Sequence, residues 1–129
     1  MDAKTKQMVR DRAGNHCEYC QLAQQHSPLF RLQIEHIVPK KHGGTDEPEN
    51  LALACIDCNL RKGPNLTGIS PDSGEIVELF HPRRQSWSDH FAWDGVVIVG
   101  LTEVGQTTIR VLDMNADERL QVRLATRPQ

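Results

Sequence analysis

Apolar positions are sparse at the start of the chain and then begin to alternate. Residues 2–13 carry few of them and read as a surface helix, with Asp2 as N-cap and Gly14-Asn15 as the stop. HCEYC, residues 16–20, follows as a tight knuckle, and 21–27 as a polar loop. LFRLQIEHIV, residues 29–38, alternates well enough to predict a strand, with Leu32, Ile34 and Ile37 inward and Pro39 ending it. KKHGGTDEPEN, 40–50, is a long loop of turn formers, and LALA, 51–54, is the returning strand. CIDCNLRKG, 55–63, predicts a short helix with Gly63 at its C-cap and Pro64 beyond. The local order is strand, loop, strand, helix. After a connector at 64–74, EIVELF predicts a further strand. VVIVGLT and TTIRVLDM, 96–102 and 107–114, read as an antiparallel pair turned by EVGQ. Asn115 then caps a last helix over 116–126, with Leu120, Val122 and Leu124 as a weak apolar stripe. The pattern is α+β: a compact unit in 1–66, and an extension in 67–129 built of a β-hairpin and a helix and packed on the first unit.

Composition narrows this picture. A chain of 129 residues, 38% of them hydrophobic, fits one domain with room for a small appendage. No apolar run approaches the roughly 20 residues that a membrane helix needs, and the polar first fifteen residues hold no signal-peptide core. The expected location is therefore the cytoplasm, where structural disulfides are uncommon. The net charge of −2 argues against a surface that binds polyanions everywhere. A local basic groove is still expected, because the cations come in pairs: Lys40 and Lys41, Arg61 and Lys62, Arg83 and Arg84.

The four cysteines form two C-x-x-C pairs, Cys17/Cys20 and Cys55/Cys58. Thiolates spaced this way can reach one ion, and two pairs complete a tetrahedral site for structural Zn²⁺. The other readings are redox dithiols and buried free thiols. A redox C-x-x-C is usually single and sits near a βαβ pattern, which this chain lacks. Four thiolates leave zinc no open position, so this ion would hold the fold and do no chemistry.

A zinc clamp alone does not need Glu35, His36, Asn50 or Asn59. The stretches EHIVPKKHGG, ENLALAC and CNLRKG, with the flanking C-x-x-C pairs, resemble the HNH endonuclease family, the ββα-metal nucleases. The resemblance runs from Cys17 to Pro64. It implies a ββα-metal core and a metal-dependent hydrolysis of DNA phosphodiester bonds. His36 would be the general base that deprotonates the attacking water, and Asn50 would brace the loop and orient it. Glu35 and Asn59 would ligate a catalytic Mg²⁺ or Mn²⁺ that stabilises the leaving 3′ oxygen. The residue before the base is often aspartate in the family, and histidine often stands at the third position, so both Glu35 and Asn59 are departures. The implied partner is double-stranded DNA, with no membrane. The alternative is a zinc module that binds nucleic acid or protein without cutting. Lys40, Lys41, Arg61, Lys62, Arg83 and Arg84 are the expected phosphate contacts, with Trp87 and Trp93 packing the extension onto the first unit.

Overall fold

The computed structural model describes residues 1–127. Helix α1, Ala3–Arg12, opens as the sequence predicts, with the Asp2 side chain accepting from the Thr5 amide. It buries Val9, and its arginines tie it to the sheet: Arg10 donates to the Leu32 carbonyl and Arg12 to that of Leu51.

The next elements form the unit that positions the site. Strands β1, Gln33–His36, and β2, Leu51–Ala54, pair antiparallel, with Gln33 opposite Ala54 and His36 opposite Leu51. Helix α2, Ile56–Lys62, follows β2 after Cys55, whose Sγ accepts from the Cys58 amide at its N-terminus. All four β2 residues are buried, so the LALA run is a core strand rather than one face of an amphipathic pair. β1 is shorter than expected. Residues 29–31 lie outside the strand and leave Leu29 and Phe30 exposed, while Gln24 and Ser27 hold the Phe30 carbonyl.

The extension departs more. Strand β3, Thr67–Ile69, which the connector reading missed, pairs with β4, Ile76–Glu78. Short helix α3, Trp87–His90, leads into β5, Phe91–Asp94, and β6, Val97–Gly100, which form the hairpin. The expected pairing of 96–102 with 107–114 is overturned. Residues Glu103–Leu112 form helix α4. Thr102 caps it by accepting from the Gly105 amide, and Asp113 ends it in the left-handed region at φ 49°. Val104, Thr107, Thr108 and Val111 recur at helical spacing, and that period outweighs the β-propensity of these residues and of Ile109. Thr108 shows how a hydroxyl is accommodated there: it donates to the Val104 carbonyl and accepts from the Phe80 amide. Helix α5, Asp117–Thr126, is where the sequence places it, but its N-cap is Ala116. Asn115 instead brackets β6, accepting from the Ile98 amide and donating to the Ile98 carbonyl.

One continuous core runs through both parts, from Val9 and Tyr19 through Leu51 and Leu53 to Phe80, Phe91 and Met114. Trp87 donates to the Tyr19 carbonyl at 2.7 Å and stacks on Phe91, and Arg83 pairs with Glu18. No described helix is long and apolar enough to cross a membrane.

Candidate active site and metal centre

The knuckle at Cys17–Cys20 is laid along β2: the Glu18 amide donates to the Leu53 carbonyl, and the Leu53 amide donates to the Glu18 carboxylate. That register brings residues nearly forty positions apart together. The four Sγ atoms of Cys17, Cys20, Cys55 and Cys58 lie within 4.8 Å of one another, all buried and all free of disulfides. Cys20 and Cys55 are 3.6 Å apart at sulfur. A tetrahedron with Zn–S bonds of about 2.3 Å has sulfurs about 3.8 Å apart, so the donor set fits zinc. Each pair also carries the knuckle bond from its second amide to its first sulfur, at 3.4 Å. Burial pushes the Cys17 and Cys58 thiols up, while hydrogen bonding to Cys17 holds Cys20 and Cys55 down.

A residue that the sequence reading did not single out completes this centre. Arg119 of α5 is 8% exposed and points its Nη2 at Cys58 Sγ, 2.9 Å away, and at Cys55 Sγ, 3.7 Å away. Its Nη1 donates to the carbonyls of Leu112 and Asp113. The guanidinium thus offsets thiolate charge in a buried site and anchors α5 to α2 and α4.

The hairpin carries the other candidate residues, Glu35, His36 and Asn50. The pleat of β1 sends neighbours to opposite faces, and the structure does not bring Glu35 and His36 together. His36, its side chain 26% exposed, turns outward, and its Nε2 lies 2.6 Å from Asp46 Oδ1. Asn50 is buried and does not bond the imidazole. Its Oδ1 accepts from the Val38 amide, and its Nδ2 donates to the carbonyls of Val38 and Thr45, closing the loop across its base.

Glu35 turns inward. It is 5% exposed, and its Oε1 lies 2.7 Å from Lys62 Nζ, which is 2% exposed. Neither carboxylate oxygen makes a hydrogen bond of good angle, so this is an ion pair in close contact. Lys62 also donates to the Ile37 carbonyl. Burial lifts the Glu35 carboxyl above its usual range, with Lys62 opposing. Asn59, one turn earlier on α2, donates Nδ2 to Gln33 Oε1 at 2.5 Å, and its own amide oxygen accepts no hydrogen bond from the described residues. The face of α2 that lies over β1 therefore sets Asn59 on Gln33 and Lys62 on Glu35.

The expected phosphate contacts separate. Lys40, Lys41, Arg61 and Arg84 are exposed, with Lys40 also 3.4 Å from Asp46 and Arg61 3.8 Å from Asp113. Lys62 and Arg83 are committed inside, to Glu35 and to Glu18. Trp87 is partly buried and packs against the core, stacked on Phe91, but Trp93 is half exposed under the Arg123 guanidinium.

A two-stranded hairpin and a helix, with four cysteines placed to hold one metal ion and an outward histidine at the end of the first strand, make up this part of the α+β fold. Residues 17–65, somewhat more than a third of the chain, match the family model HNH endonuclease. Neither the curated proteins nor the solved structures returned a match.

Proposed function

We propose that this chain is an endonuclease that hydrolyses DNA phosphodiester bonds, with His36 as the general base. The observation that carries the reading is His36 itself: within an HNH segment, the imidazole stands at the solvent-facing end of β1 with a carboxylate on one nitrogen. Imidazole is the side chain whose ordinary titration spans neutral pH, which suits removal of a proton from water near pH 7. The water oxygen bonds to phosphorus as His36 takes the water proton, and the bond to the 3′ oxygen breaks, that oxygen leaving as a hydroxyl with a proton from solvent. Lys40, Lys41, Arg61 and Arg84 are exposed cations available to phosphates. A zinc ion held by the four thiolates would have no open position and would take no part in the reaction.

The family implies a catalytic Mg²⁺ or Mn²⁺. Such a cation, when bound, offsets charge on the pentacovalent phosphorus and on the leaving oxygen. Asn59 fits it, having a free amide oxygen. Glu35 does not fit it as placed, because Lys62 already neutralises that carboxylate in a buried pair. No step is therefore assigned to Glu35.

That same ion pair favours the second reading, a zinc module that binds nucleic acid without cutting. Nicking of supercoiled plasmid by zinc-loaded protein in Mg²⁺, Mn²⁺ or EDTA separates the two. The proposal expects cation-stimulated nicking, and a binding module leaves the plasmid intact in every buffer while still shifting its mobility.

A further inference from the structure

Asp46 sits in the polar loop 40–50, where no motif marks it. Its Oδ1 lies 2.6 Å from His36 Nε2, and its carboxylate is also 3.4 Å from Lys40 Nζ. An ionised carboxylate can only accept, so the contact requires Nε2 to carry the proton. The same contact, ahead of Lys40, holds the Asp46 carboxyl below its usual range. His36 Nδ1 makes no hydrogen bond with the described residues. A neutral ring held this way presents a bare lone pair at Nδ1.

An exposed ion pair is ordinarily worth little. This one is built into a braced loop. Asn50 donates to the Thr45 carbonyl, one peptide bond from Asp46, while its other bonds grip Val38. Gly44 lets the loop fold back there: a Cβ at that position would come within 1.6 Å of the Val38 carbonyl oxygen. Gly43 adds a left-handed turn at φ 88°. The buried asparagine therefore reaches the histidine through the loop, by way of the carboxylate.

We propose that Asp46 is the positioning residue for His36, fixing the tautomer with Nε2 protonated and turning Nδ1 toward the attacking water. The proposal deepens the nuclease reading and rests on His36 being the base. Asp46 touches neither water nor phosphate; it acts through the ring. Misplacing a reacting group typically costs up to about 10²-fold.

The test is a double-mutant cycle in single-turnover plasmid nicking, with DNA affinity measured in parallel. Asp46→Ala is expected to slow nicking by about 10- to 10²-fold without weakening DNA binding, and to add no further loss in a His36→Ala background. Asp46→Asn keeps an amide oxygen that can accept from Nε2–H and is expected to recover part of the rate that Asp46→Ala loses. Full activity in Asp46→Ala, or an equal loss with and without His36, would overturn the proposal. If the wild type nicks nothing, the nuclease reading fails and the geometry is decided separately. Low-temperature ¹⁵N-edited NMR then reads a proton on His36 Nε2, shifted downfield in the wild type and lost in Asp46→Ala. Its absence from the wild type would sink the assignment.

Discussion

At the scale of single residues, Glu35 and His36 are neighbours in the chain that serve different parts of the molecule. His36 faces solvent and Asp46, while Glu35 and Lys62 form a buried pair that pins α2 onto β1. Removing one partner of such a pair strands a buried charge and typically costs about 3–5 kcal/mol, whereas an apolar replacement of both often costs less. Lys62→Met is therefore expected to destabilise strongly in urea unfolding, and Glu35→Leu combined with Lys62→Met to recover much of the loss. The pH dependence follows from the raised Glu35 carboxyl. The folded state holds that proton more tightly than the unfolded chain, so the contribution is complete below the ordinary glutamate range. It is lost as pH rises through the folded value. Glu35→Gln should remove that slope from a stability profile taken between pH 4 and pH 8. The residue types of this site were legible in the sequence through their spacing. Their partners were not: no local pattern tells that Lys62 points at Glu35, or that Asp46 reaches His36 across a ten-residue span.

At the scale of elements, the hairpin and α2 were legible because turn formers, a continuous apolar run and a C-cap glycine agree there. Helix α4 was not, because its β-branched residues carry strand propensity. Its helical period and the Thr102 cap decide the outcome. Gly105 marks its closest approach: a Cβ there would lie 2.0 Å from the His90 carbonyl oxygen, so Gly105→Ala must push α4 off the start of β5. Helix α5 reaches the four-cysteine cluster through Arg119, a residue that reads as one more surface cation on a mixed-charge helix. Partners of metal ligands commonly change affinity by about 10–100-fold. Arg119→Met should lose zinc to a chelating dye at least several times faster than wild type, and equal release rates would refute the contact's role.

At the scale of the whole molecule, one hydrophobic core is shared by two stretches that the sequence divides. Trp87 on Tyr19, Arg83 on Glu18 and Arg119 on Cys58 all cross that division. Purified protein should hold about one zinc per chain. Structural zinc contributes apparent free energies near 10–16 kcal/mol in small domains, so chelation should collapse near-ultraviolet dichroism across the chain, including the Trp87 and Trp93 signals of the extension. Survival of those signals after zinc removal would mean that the extension folds on its own. The central claim is that one hairpin and helix carry two separable sites, a closed ion that holds the fold and a histidine that cuts. It is tested most directly by the plasmid-nicking rate of His36→Ala at verified zinc content. The account predicts full zinc occupancy and an unchanged fold, with nicking slower by about 10²–10⁴-fold. Nicking at the wild-type rate by that zinc-loaded variant would contradict it.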